Sequence, residues 1–471
     1  MATEVSQPPE RRETRQRIAD LLGRMIYAAV LALMVLAAIV YGGSDPWWKA
    51  FFTSAIFAVS IIGVFEMLIS NSPWPTWVRI LLPLIVLIVF SVVQSVSFFQ
   101  AGPPGSGIQL PFWNSISADP YETRIFALQL GALVLLMALL FRYANTERRL
   151  RRLINVIIAI AVLSAVFGLL RQTMQHETGF GLPMLRTGIG YGQFINKNHF
   201  AYLMEMGFGL SLGLIFASGV RRDQAMIYLA VLLPIWMALV LANSRGGILA
   251  MVVQIVVTLL MFPSIATRIN RGRVWSFVKS PVVRVVLVLS LIGLCVTAVF
   301  WVGGDRLATS IEESRSEFPG SRASRVGVTR LEIWQATLRM FKDNPVAGVG
   351  MGGYWAAIPL YHDASGILTP QQAHNDYLEL LSSGGIVGLA IVLWFVVVVF
   401  RHASENLRSP DRFRRAVCFA SLIAIAGVAV HSLVDFGLHR MINAMIFAAL
   451  IVIVTSNVNS DSKTLKDNAE N

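Results

Sequence analysis

The chain has 471 residues, of which 55% are hydrophobic and only 14% charged, and its mean hydropathy is +0.63. Soluble domains carry about 45–50% apolar and about 25% charged residues, so the charge deficit excludes an ordinary soluble enzyme and a disordered chain. The net charge of +12 does not indicate a nucleic-acid partner, because excess Lys and Arg in so apolar a chain first set membrane topology. Both cysteines, Cys295 and Cys418, sit in or near apolar runs, so neither a disulfide nor a zinc site is implied. Each reads as a small buried hydrophobe.

In chain order, apolar runs of spanning length fall at 23–41, 50–70, 78–98, 124–143, 153–170, 198–219, 225–243, 246–262, 283–302, 384–400, 415–434 and 437–456. Each run is long enough for a helix to cross about 30 Å of hydrocarbon, with 384–400 near the lower limit. Helices are required because lipid leaves exposed backbone groups unsatisfied, and the alternating strands of a barrel are not seen. The first run is longer than a signal-peptide core and no A-x-A site follows it, so it is expected to stay as an anchor. The fold class is therefore all-α: a polytopic bundle of about twelve transmembrane helices, with one large, partly helical outward loop. The division is a basic tail at 1–22, spans one to nine over 23–302, the loop at 303–383, the last three spans over 384–456 and a tail at 457–471.

Lys and Arg set the orientation. With the N-terminus in the cytoplasm, 25 of the 39 basic residues fall on the cytoplasmic side and 14 outside, seven of those 14 in the 303–383 loop. Long loops translocate largely regardless of charge, so the fair ratio is 25 to 7, and both termini are expected in the cytoplasm. Two shorter polar stretches, 99–123 and 171–197, then also face outward.

Inside the long loop, the segment ending in TRLEIWQATLRMFKDNP reads as a helix. Leu331, Trp334, Leu338 and Phe341 form its expected apolar stripe, and Asn344 and Pro345 stop it. GVGMGGYW follows as a turn suited to close backbone approach. A second helix is expected from Thr369, where Thr-Pro-Gln-Gln fits a capping box with Pro at the first position. His374 would lie one turn in and share a face with Tyr377, Leu378 and Leu381, while Asp376 and Glu379 point elsewhere. Any carboxylate partner of His374 must then come from another part of the chain.

HNDYLELLSSGGIVG carries an H-N, nine residues, G, two residues, G pattern. It resembles the signature of the bacterial O-antigen ligase and polysaccharide polymerase superfamily. RLEIWQATLRMFKDNPVAGVG resembles that family's R-x-x-x-W … N-P-x-x-G-x-G segment. NSRGG at 243–247 resembles its outward Ser-Arg-Gly turn, and GQFINKNHFAYL at 192–203 resembles its G-x-F-x-N-x-N-H element. The likeness covers about residues 185–400. It implies a multi-pass protein of the bacterial inner membrane that transfers a glycan from a polyprenyl-pyrophosphate carrier on the periplasmic side. The acceptor is a hydroxyl of lipid A–core for a ligase, or of another lipid-linked glycan for a polymerase. The implied partners are that donor, that acceptor, membrane lipid and other polysaccharide assembly proteins, with no nucleic acid, no metal and no cofactor.

The residue chemistry is consistent with this reaction. No D-x-D occurs, and no His, Cys and carboxylate cluster has metal spacing. A pyrophosphate leaving group needs positive charge, which guanidinium supplies bidentately, and the acceptor hydroxyl needs a base. The resemblance assigns catalysis to His374 and donor binding to Arg245, Arg330 and Arg186, with Arg325 or Arg322 as alternatives to Arg330, against the plainer readings of a lone helix histidine and of boundary or solvated arginines. Asn196, Asn198, His199, Arg325, Asn375, Tyr377 and Glu205 are expected to line the site, and Lys197 reads as an interface lysine. Glu66 and Glu205 fall inside spans, where ionisable groups are costly and are functional or paired. Glu66 is close enough to the cytoplasmic end to reach water, and Glu205 is placed to shape the site or orient His374. Glu312, Glu313 and Glu317 read as a solvated loop. A polysaccharide or lipid transporter is the rival reading, but its polar groups would gather near the membrane midplane.

Overall fold

The computed structural model describes residues 9–43, 45–71, 78–97, 115–174, 185, 190–217, 222–265, 293, 329–363 and 369–457. The helices are α1 (Pro9–Ile39), α2 (Pro46–Ser70), α3 (Val78–Gln94), α4 (Pro120–Tyr143), α5 (Glu147–Met174), α6 (Lys197–Phe216), α7 (Arg222–Leu241) and α8 (Arg245–Ile265). After them come α9 (Arg330–Asp343), the short α10 (Tyr354–Ala357), α11 (Asp376–Leu407), α12 (Arg412–His431) and α13 (Met441–Thr455). Among the described residues the only strand-like pairings are isolated bridges, Ser97 with Ser115 and Tyr191 with Phe194. Helices lie over eleven of the expected runs; the run at 283–302 lies outside the described residues. Seven described helices are long and apolar enough to cross a membrane, and α3, α7, α8 and α13 are shorter apolar helices.

Helix α6 is the axis of the bundle: from His199 to Leu214 every residue is buried. It is wrapped by α12, α7, α8 and α5. Small residues make this possible. A side chain on Gly209 or Gly213 would run into the backbone of Ala424 or Ala420 on α12, the small-residue contact that lets membrane helices approach closely. The outer helices reverse the soluble pattern. Phe65 and Leu68 on α2, Leu233 and Trp236 on α7, and Val397 and Phe400 on α11 are exposed, as an apolar solvent such as lipid allows. Cys418 is buried, as expected, and Cys295 lies outside the described residues.

Glu66 does not reach water. It is buried and receives Arg142 Nε at 2.7 Å and Nη2 at 2.6 Å, with the Tyr143 hydroxyl at 2.8 Å. These bonds clamp α2 to α4, and each of the three groups supplies the partner that burial of the others requires.

Helix α9 forms where the sequence places it, opened by a Thr329–Glu332 capping box and closed at Asn344. Its buried face differs from the expected stripe. Leu331 and Leu338 are exposed, whereas Ile333, Trp334, Thr337 and Met340 are buried. The reason is a polar anchor: Thr337 Oγ1 bonds the Tyr354 hydroxyl at 2.7 Å, and Trp334 Nε1 donates to the Ala373 carbonyl at 3.1 Å. The Gly-rich turn after α9 approaches the protein's own helices. Gln94 donates to the Ala347 and Ser383 carbonyls and accepts from Met351 N, while Gly352 N donates to Thr123.

The helix expected from Thr369 is not there. Helix α11 begins at Asp376, capped by the Asn375 side chain, which accepts from Tyr377 N and Leu378 N at 3.1 and 3.0 Å. Asn375 competes successfully with Thr369 because it caps two amides and also donates to the Leu433 carbonyl at 2.8 Å. His374 is therefore not on a helix. It holds a left-handed backbone, φ 51°.

Candidate functional site

Four segments meet at one end of the bundle: the start of α6, the turn before α8, the α9–α11 region and the 432–440 link between α12 and α13. Their meeting point is Asp435, 1% exposed. Arg330 Nη2 donates to its Oδ2 at 3.1 Å, and the Asn198 amide donates to the same oxygen at 2.5 Å. His199 Nε2 and His374 Nδ1 lie 3.8 and 4.0 Å from its Oδ1. Phe436 stands edge-on between the two imidazoles, its ring centre 4.9 Å from His199 and 4.7 Å from His374.

Each participant is held by local structure. Asn196 caps α6 by accepting from Asn198 N at 2.8 Å, which fixes the Asn198 amide toward Asp435. Ser244 donates to Asn198 Oδ1 at 2.9 Å. Arg245, the first residue of α8, stands next to this bond. A side chain on Gly246 would strike the His431 ring. Arg440 Nε donates to His199 Nδ1 at 2.9 Å, leaving Nε2 of His199 as the edge turned to Asp435. Arg330 takes its place because Thr329 starts α9 there.

Charge balance follows from this geometry. Burial pushes the Asp435 carboxyl up, but Arg330 and the imidazoles of His374 and His199 pull it further down, to well below the usual carboxylate range. Burial lowers His374 to about 4; Asp435 pulls it back up and Arg330 pushes it down. Its imidazole is therefore neutral at ordinary pH. The left-handed φ of His374 is a conformation tolerated mostly by Gly, Asn, Asp and His, and strain of this kind collects at functional sites.

The sequence-derived candidates divide clearly. Arg330, His374, His199 and Asn198 converge on Asp435. Asn196 and Asn375 act as caps, and Lys197 is exposed. Tyr377 is exposed and donates to the Ala429 carbonyl at 2.7 Å, tying α11 to α12. Glu205 does not orient His374: its Oε2 bonds His431 Nδ1 at 3.0 Å, deeper in the bundle, where Tyr202 stacks on the His431 ring at 4.1 Å. Arg186, Arg322 and Arg325, with Glu312, Glu313 and Glu317, lie outside the described residues. Asp435, Arg440 and His431 were missed. The usable signal was SLVDFGLHR at 432–440, a polar interruption that sets an Asp, a His and an Arg between two apolar runs.

The helix that was to aim Asp376 and Glu379 away from His374 does not include His374, and Glu379 accepts from Ala373 N, next to His374, at 2.8 Å. Both acids face His439, whose Nε2 is 3.6 and 3.7 Å from their carboxylates. Ser432 donates to Asp376 at 2.7 Å. No group of three or more His, Cys, Asp and Glu with metal-holding geometry occurs among the described residues.

An uncharacterized protein of Haemophilus influenzae is 20% identical over 232 residues, 48% of this chain. This chain spans about half of that relative, 55% of its length. The O-antigen ligase family model matches residues 229–393, which hold Arg245, Arg330 and His374. Over that segment the chain is similar to the O-antigen ligase-related superfamily.

Proposed function

We propose that the protein is a metal-independent membrane glycosyltransferase that moves a glycan from a polyprenyl-pyrophosphate donor to a sugar hydroxyl, as ligase or polymerase, on the periplasmic face of the inner membrane. The observation that carries the reading is the convergence of His374 and Arg330 on one buried carboxylate, Asp435, at one end of the helical bundle.

In the proposed reaction the acceptor oxygen attacks the anomeric carbon. The bond from that carbon to the phosphate oxygen breaks, and its electron pair leaves with polyprenyl pyrophosphate. The hydroxyl proton goes to His374. In this scheme the resting proton sits on Nδ1, 4.0 Å from Asp435, and Nε2 carries the lone pair that accepts the new one. Asp435 then stabilises the imidazolium, and Arg330, held at one nitrogen by Asp435, presents its remaining N–H groups to the leaving group. Arg440, bonded to His199, and Arg245, which follows Ser244 in the chain, are assigned to add positive charge for the pyrophosphate. A pKa near 4 keeps the resting imidazole neutral, and the negative charge of a bound pyrophosphate raises it toward the value a base needs.

A proton-coupled polysaccharide or lipid transporter is the second reading, and the Glu205–His431 pair inside the bundle favours it. A deletion strain separates the two. Loss of a polymerase leaves single glycan repeats at the surface, and loss of a ligase leaves long chains on the lipid carrier outside the membrane. Loss of a transporter leaves lipid-linked glycan inside, which would contradict the proposal.

A further inference from the structure

A concave site opens at the far end of α9. It is a cleft of about 600 Å³, separated from Arg330 by the length of that helix, about 21 Å for its 14 residues. Its lining combines Asp343 and Asn344, the Tyr361 ring and the apolar Val346 and Leu360.

The floor is rigid. Ile386 N and Val387 N donate to the Pro345 and Val346 carbonyls at 2.8 and 3.1 Å, and Val349 N donates to the Ser382 carbonyl at 3.0 Å. Tyr361 is held at both ends: Arg339 donates to its carbonyl at 2.7 Å, and Asn344 reaches its hydroxyl at 3.4 Å. Asp343 also hydrogen-bonds that hydroxyl, and burial together with the Asp343 charge raises the phenol above its ordinary value. Val346 and Leu360 are 64% and 53% exposed, so apolar surface alternates with fixed hydrogen-bonding groups.

This alternation matches a sugar chain, which presents C–H faces to apolar and aromatic surfaces and hydroxyl edges to acceptors. Among the described residues of the lining, Asp343 is the only formally charged one. It disfavours a phosphate or a lipid headgroup and suits neutral or amino sugars.

We propose that this cleft is a saccharide subsite that holds the glycan several sugar units away from the reacting bond, with α9 as the spacer between the two. The inference rests on the glycosyl-transfer reading and extends it to the body of the glycan. The same chemistry serves an acceptor chain or the donor's own chain.

The test uses the purified full chain and glycan released by mild acid from the host's surface polysaccharide, separated into single-repeat and long fractions. Binding is read by saturation-transfer NMR for wild type, Asp343→Asn, Tyr361→Ala and Arg330→Ala, each checked for unchanged elution and melting. The long fraction is expected to bind wild type more tightly than the single repeat. Asp343→Asn and Tyr361→Ala should weaken it roughly tenfold or more, while Arg330→Ala and added inorganic pyrophosphate leave it unchanged. Released long glycan that competes with the lipid-linked donor assigns the cleft to the donor chain; released glycan that binds alongside the donor assigns it to the acceptor. Equal binding by wild type and both cleft variants, or no preference for length, overturns the subsite. Because binding is read without turnover, this outcome is independent of whether His374 acts as base.

Discussion

At the residue scale, His374 lies 4.0 Å from a carboxylate 61 positions later in the chain. The histidine was legible through its motif and Arg330 through its spacing to Trp334. Asp435 was not, because no local spacing links it to either. Its role arises only when the α12–α13 link packs against the N-terminal ends of α6 and α9. The depressed pKa of His374 has a consequence for stability. An unfolded chain takes up this proton near 6.5, whereas the folded protein does so only near 4. Neutral burial of His374 therefore contributes stability that is complete above 6.5 and is lost as pH falls from there toward 4. Melting curves across that window should fall more steeply for wild type than for His374→Gln. Equal slopes would show that His374 titrates alike in both states.

At the element scale, the decisive feature is the way α11 begins and breaks. The sequence supports Thr369 as a cap by local rules, yet Asn375 is the cap because its side chain bonds α11 on one side and the α12–α13 link on the other. Local propensity did not include the second bond. Ten residues on, Gly385 interrupts α11 with φ 61° and ψ −162°, a region open essentially to glycine. A side chain there would also run into the Val346 carbonyl. Gly385→Ala should cost at least about 1–3 kcal/mol, lowering the melting temperature, and should disturb the turn that floors the α9 cleft. A variant that melts like wild type would show that α11 relaxes there at little cost. Of the expected α9 stripe, Trp334 is buried but Leu331 and Leu338 are exposed, for a related reason: Thr337 is drawn inward by its bond to Tyr354, which periodicity does not weigh.

At the scale of the whole molecule, helical class and helix positions were readable because spanning runs are long and lipid admits few alternatives. The packing order was not, since α6 becomes the axis through small residues that any membrane helix tolerates. Sidedness remains a prediction carried by the 25-to-7 ratio of basic residues. Reporter fusions in the 142–152 and 401–415 segments should report the cytoplasm, and fusions between α9 and α11 the opposite side. A cytoplasmic signal between α9 and α11 would place the Asp435 cluster on the wrong face for a periplasmic reaction.

The central claim is that His374 moves the proton while the arginines hold the leaving group. It is tested by measuring donor binding and single-turnover transfer on the same purified His374→Ala and Arg330→Ala proteins. Loss of a general base lowers rate by about 10²–10⁴, so His374→Ala should bind lipid-linked donor like wild type and transfer almost none of it, while Arg330→Ala should lose donor binding. Normal turnover by His374→Ala, or loss of donor binding equal to that of Arg330→Ala, would contradict the account.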